Sequence, residues 1–138
     1  ILETTAGQGT EMCYKLEDLS HFYKKFNQQM RKRVKLCIDT CHIFQAGYDI
    51  KSKKKVQLYL DAFNELIGLE HVALLHLNDS HHGLGARVDR HMPVGEGAIG
   101  LIGLLEFYRV FKDKCPIILE TPDVNIKKGI ERLLLNID

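Results

Sequence analysis

The run Lys35-Leu36-Cys37-Ile38-Asp39-Thr40-Cys41-His42 decides how this chain is read. A short apolar strand runs into a carboxylate, and a histidine follows three positions later. A buried strand gains nothing from a charged last residue unless that residue leaves the core to do something. Three further runs end the same way: Ile1-Leu2 on Glu3, Val72-Ala73-Leu74-Leu75 on His76, and Pro116-Ile117-Ile118-Leu119 on Glu120. Side chains alternate along a strand, so Cys37 shares a face with Asp39, Leu74 with His76 and Ile118 with Glu120. Leu36, Ile38 and Leu119 are left to pack under helices. Taken singly, an aspartate at a strand end is more often a helix cap or turn residue. Glu3 or Glu120 alone would suit an ion pair with a lysine. Four strand ends in agreement point to one shared cation site.

Helical patterns separate these strands. Apolar positions 16, 19, 23, 26 and 30 predict a helix between Leu16 and Met30. Ser52 is placed to cap a second helix, buried through Val56, Leu60, Phe63 and Ile67 and ended by Gly68. Leu101, Leu104, Leu105 and Tyr108 mark a third. A fourth has Asp123 or Asn125 as its cap, with Ile126, Ile130, Leu133 and Leu134 facing inward. Residues 81–100 carry five glycines and little periodicity, the pattern of a long functional loop. Strand and helix thus alternate, which implies parallel strands joined by crossover helices. Charged residues at strand C-termini fit a barrel or an open doubly wound sheet. No GxGxxG follows a strand, against a dinucleotide fold. About four βα units are half of a TIM (β/α)8 barrel, which takes ~250 residues. The expected fold is therefore an α/β half-barrel, with residues 1–138 as a single partial domain.

Composition narrows the classes. The 138 residues are 45% hydrophobic and 27% charged, ordinary for a globular protein with a core. No apolar stretch approaches the ~20 residues of a membrane span, and no secretory signal opens the chain. The first residue is Ile1 and already reads as strand interior, as in a piece of something larger. Net charge is +1 and the pI about 7.9, so bulk charge does not announce a nucleic-acid binder. Cys13, Cys37, Cys41 and Cys115 form no CxxC pair and read as reduced thiols of an intracellular protein.

Glu3, Asp39, His76 and Glu120 are mixed oxygen and nitrogen donors, which suit zinc or manganese better than calcium. His42, Asp89 and His91 form a second set, and the Asp-x-His step points both side chains the same way in extended backbone. Two neighbouring ions are the arrangement used to cut phosphodiesters. His81 and His82 read as exposed loop residues, and His21 and His71 as surface residues.

Five blocks occur in order: Leu2-Glu3-Thr4-Thr5-Ala6-Gly7-Gln8-Gly9, Cys37-Ile38-Asp39-Thr40-Cys41-His42, His76-Leu77-Asn78-Asp79, Arg87-Val88-Asp89-Arg90-His91 and Ile118-Leu119-Glu120-Thr121. With Ala46-Gly47-Tyr48-Asp49 and Gly95-Glu96-Gly97, they make the chain resemble the C-terminal half of the endonuclease IV family of apurinic/apyrimidinic (AP) endonucleases. The resemblance implies a TIM barrel with three zinc ions that repairs DNA. Its substrate would be double-stranded DNA with abasic sites, cut 5′ to the abasic sugar to leave a 3′-hydroxyl. By that likeness Glu3 would bridge two zincs, Asp39, His76 and Glu120 would complete the second, and His42, Asp89 and His91 would hold the third. Glu3 and Glu120 would be the catalytic carboxylates. The remaining zinc takes two histidines from an N-terminal half that this chain does not contain. The fragment alone is therefore expected to bind metal without cleaving DNA, and to pair with its missing half or with itself through open sheet edges.

A sugar isomerase or epimerase of the xylose isomerase-like barrels resembles this chain through the same Glu, Asp, His, Glu set on successive strands. His42 with Asp89-Arg90-His91 argues against it. A non-catalytic, metal-binding half-barrel is the other alternative. Among basic residues, Arg31, Lys32, Arg33 and Lys35 precede a strand and belong at the bottom of the barrel. Lys51, Lys53, Lys54 and Lys55 follow it, as Lys127 and Lys128 follow the last strand. Lys51 and Lys53, with Arg90 between two ligands, are the expected phosphate contacts.

Overall fold

The structure, a computed structural model, describes residues 1–121 and 123–137, without the side chains of residues 123–125. Four parallel strands form the sheet, in the order β1 (Leu2–Glu3), β2 (Leu36–Asp39), β3 (Val72–His76) and, after a two-stranded excursion, β6 (Ile117–Ile118). Asp39 pairs with His76 and His76 with Ile118, so the strand ends are level. That register is what lets side chains from different strands meet at one rim.

Period-two alternation shows in the burial of β6 and in part of β3, but not in β2, where Leu36, Cys37, Ile38 and Asp39 are all buried. Leu36, Ile38 and Leu75 are wholly buried beneath the helices. On the other face Ile118 is 44% exposed and Leu74 half-buried. The helices α4 (Lys53–Leu66) and α5 (Leu101–Phe111) close the core with Val56, Leu60, Phe63, Leu104 and Phe107. Ser52 caps α4 by accepting from the Lys55 N–H, and Gly68, at φ 103°, ends it in a conformation that favours glycine. Gly103 of α5 lies directly against the Ile50 carbonyl, leaving no room for a Cβ.

Several expectations need correction. The helix foreseen from Leu16 to Met30 is two: α1 (Leu16–Tyr23) and the short α2 (Gln28–Arg31). Asn27 divides them, because its side chain accepts from the Met30 N–H and starts a new helix. A six-residue helix, α3 (Thr40–Gln45), follows β2 without a loop. Residues 81–100 are not wholly loop, for β4 (Asp79–Ser80) pairs antiparallel with β5 (His91–Met92). On α6 (Asp123–Leu134), Leu133 is buried but Ile130 is 44% and Leu134 65% exposed, against the inward placing expected. Ile130 and Leu134 line an open groove shared with Tyr108 of α5 and with Ile117 and Leu119 at β6, so they face that groove without being covered. The cap expected at Asp123 or Asn125 lies outside the described residues. His71 is half-buried against Tyr23, with ring centroids 5.3 Å apart, and is not a surface residue. The four cysteines are unpaired thiols.

Candidate metal centre

β1, β2 and β3 each contribute their last residue, Glu3, Asp39 and His76, to one rim, and Glu120 joins them from two positions beyond β6. Glu3 Oε1 lies 3.0 Å from His76 Nδ1 and 3.3 Å from His42 Nδ1. His76 Nδ1 is also 3.0 Å from Glu120 Oε2 and 3.8 Å from Asp39 Oδ2. One imidazole nitrogen cannot donate to three carboxylates. A cation held among them would satisfy all three, and donor atoms of Glu3, Asp39, His76 and Glu120 all lie within 4.8 Å of one another.

The second set sits beside the first. His42 Nδ1 bonds the Thr4 carbonyl at 2.8 Å, which leaves Nε2 for other work. That Nε2 lies 3.2 Å from Asp89 Oδ1, and His91 Nε2 lies 3.3 Å from the same oxygen. His91 Nε2 is 3.5 Å from Asp39 Oδ2, so the two sets share a border. Both Nε2 atoms are buried and lack a hydrogen-bond partner. Buried polar groups are nearly always paired, so two orphaned nitrogens converging on one carboxylate fit a metal ion. Nitrogen and carboxylate donors fit zinc or manganese.

Charge at the rim tells the same story. Burial opposes the charged form of His42, yet Glu3, Asp39, the Thr4 carbonyl and Asp89 together push its pKa up to about 10. Hydrogen bonding from His42 holds Glu3 below the usual carboxylate range, with burial opposing and His76 assisting. Complete burial raises Asp39, against the pull of His42 and His91. The raised value favours the protonated His42 imidazole near neutral pH, among the carboxylates of the rim.

Several residues that support the rim carry little signal in the sequence. Asp39 accepts from the His42 N–H at 2.9 Å through Oδ1, capping α3, while its Oδ2 faces the histidines. Cap and candidate ligand are one residue. Gln45, fully buried, donates to Ser80 Oγ, His82 O and Gly83 O and accepts from the Val88 N–H, pinning the segment that carries Asp89 and His91. Gln8 accepts from the Asp89 N–H at 2.7 Å. Asp79 is wholly buried, and its carboxylate accepts from the amides of Gly95, Gly97, Ile99 and Gly100. Asn78 bridges Asp39 and Glu120. Only the polar Asn78-Asp79 pair directly after a strand end hinted at these roles.

The basic residues separate by surroundings. Lys51 Nζ sits 5.6 Å from the Phe44 ring centroid, and exposed Arg90 donates to the Asp89 carbonyl. Lys53 lies 3.7 Å from Glu106, and Lys55 is paired with Asp49. Arg87, at φ 55°, stacks on Tyr14 with 4.5 Å to the ring centroid and donates to its hydroxyl. His81 is exposed and His82 half-buried, with rings 4.8 Å apart.

Half of a parallel α/β barrel, with carboxylates and imidazoles gathered at the C-terminal ends of its strands, defines a class of metal-site barrels. A profile of xylose isomerase-like TIM barrels matches residues 1–135. The probable endonuclease 4 of Chlorobium limicola is 40% identical over 124 residues, covering 89% of this chain and 42% of that protein. The probable endonuclease 4 of Campylobacter fetus is 42% identical over 130 residues, covering 91% and 44%. The crystal structure of endonuclease IV from Thermus thermophilus superposes with a TM-score of 0.83 at 33% identity, covering 98% of this chain and 48% of that one. The chain belongs to the endonuclease IV family of xylose isomerase-like TIM barrels. It spans less than half the length of these relatives.

Proposed function

We propose that this chain is the C-terminal half of a zinc-dependent nuclease that hydrolyses the phosphodiester 5′ to abasic sites in double-stranded DNA. The observation that carries the reading is the pair of orphaned imidazole nitrogens, His42 Nε2 and His91 Nε2, around Asp89 and beside the four-residue cluster. A single-site sugar isomerase has no use for that second set. Glu3, Asp39, His76 and Glu120 would hold one ion, with Glu3 shared towards a site completed by the preceding half. His42, Asp89 and His91 would hold another. Zinc fits the donors best, with manganese next. A bound divalent cation supplies Lewis-acid polarisation of the phosphodiester and ionised water near neutral pH.

The chain's own residues bind and orient the substrate and move the proton. Glu3 and Glu120 stand half-open at the rim, with side chains 37% and 36% exposed. Glu3 Oε2 and Glu120 Oε1, the oxygens not paired with His76, would take the proton of the attacking water. Arg90 and Lys51 would contact backbone phosphates. Lys53 contributes less, being shared with Glu106. The whole protein would work on intracellular DNA.

Metal analysis and an abasic-duplex assay test the reading together. The 138-residue chain alone should bind metal and leave the duplex intact. Joined to the half that precedes it in relatives, it should cleave, and the His91→Ala variant should lose one ion and at least about 100-fold in rate. Robust cleavage by the isolated chain, or no bound metal in the joined protein, would overturn the reading.

A further inference from the structure

Asp39 ends β2 and Glu120 follows β6 by two residues; β3 separates the two strands, and the two carboxylates make no bond to each other. Between them stands Asn78, wholly buried two residues beyond His76. Its Nδ2 donates to Asp39 Oδ2 at 2.8 Å and to Glu120 Oε2 at 3.0 Å. Its Oδ1 accepts from the Glu120 N–H at 2.9 Å. The backbone beneath is fixed as well. The Asn78 N–H donates to Thr40 Oγ1 at 2.9 Å, and the Thr40 hydroxyl donates to the Asn78 carbonyl at 2.7 Å.

Both amide donors and the amide oxygen are therefore committed. Flipping the amide would set its oxygen against two carboxylates, so only one orientation is consistent. The oxygens it engages, Asp39 Oδ2 and Glu120 Oε2, are the same two that face His76. Each carboxylate oxygen offers two lone-pair sites. One is used by Asn78, and the other is left directed at the centre of the cluster. Two like charges at this range repel, and a doubly donating neutral group between them sets their separation without supplying a charge of its own.

We propose that Asn78 is a positioning residue. It fixes the span and orientation of Asp39 and Glu120 for the cation these share with Glu3 and His76, and touches neither ion nor substrate. The inference rests on the metal-site reading above. Groups that orient ligands typically change metal affinity ~10–100-fold when removed. Aspartate at this position keeps the shape but removes both donors and adds a third negative charge. Serine removes the reach and adds no charge.

The test is a stepwise zinc titration of the full chain against a chromophoric chelator, with cobalt absorption spectra to follow each site. Asn78→Asp is the primary variant, and Asn78→Ser replaces it if the added charge prevents folding. The expected result is a loss of about 10–100-fold in affinity for one ion. The ion on His42, Asp89 and His91 should keep its affinity to within about threefold, and one cobalt band should change while the other stays. A folded variant with unchanged affinities for every ion would overturn the inference, as would an equal loss at both sites, the signature of a merely structural residue. Absence of any bound ion in the unsubstituted chain would overturn the metal-site reading on which it stands.

Discussion

Asp39 does two jobs with two oxygens: Oδ1 caps α3, and Oδ2 faces the histidines. Asparagine caps helices about as well as aspartate. Asp39→Asn should therefore keep the fold, with a circular dichroism spectrum close to that of the parent, while zinc affinity falls by about 100-fold or more because the charge is gone. A variant that melts early but binds zinc normally would reverse that assignment. His42 carries a second prediction. Its pKa, pushed up to about 10 despite burial, leaves it protonated near neutral pH in the metal-free chain. Zinc loading must displace that proton. Calorimetric binding enthalpies should shift with the ionisation enthalpy of the buffer by about one proton at neutral pH, and no longer do so once the pH exceeds the raised value. The sign for folding follows from the same shift. In the metal-free chain the stabilisation from charged His42 is complete below its ordinary value of 6.5 and is lost as pH rises through about 10.

At the scale of elements, the segment from β4 to α5 is held by buried polar groups. Asp79 accepts four loop amides and, among the described residues, has no basic partner, so Asp79→Ala strands those donors and should lower stability by about 3 kcal/mol or more in urea unfolding. Gly103 has a steric role. A methyl there meets the Ile50 carbonyl, so Gly103→Ala should destabilise by about 1–3 kcal/mol, although alanine favours helix. A stabilised Gly103→Ala chain would show that α5 can slide away from its contact. The break between α1 and α2 also belongs to this scale. The apolar stripe ran on to Met30, but the Asn27 side chain captured the Met30 amide and Met30 is left 46% exposed.

At the scale of the molecule, four parallel strands leave β1 and β6 with one unpaired edge each among the described residues. Apolar side chains flank these edges: Ile1 is 71%, Ile118 44% and Leu134 65% exposed. Unpaired edges with apolar neighbours recruit another sheet. The isolated chain should therefore sediment above its 15.8 kDa monomer mass at micromolar concentration. Adding in trans the part of these relatives that the chain does not span should replace self-association with a one-to-one complex. A strictly monomeric, cooperatively folding chain would show that the edges are already satisfied.

The sequence by itself determined the parallel α/β pattern, the strand ends and the residue types at the rim. Those follow from periodicity and from the cost of burying charge, both legible within a few residues of each other. Ser52 as a cap and Gly68 as a stop were legible for the same reason. Tertiary structure alone decided how far the strand ends are level, that Asn78 spans Asp39 and Glu120, that Asp79 gathers the glycine-rich loop, and that Leu134 is left largely exposed in an open groove. These depend on contacts between residues dozens of positions apart, and pair geometry of that kind leaves no periodic trace in the chain.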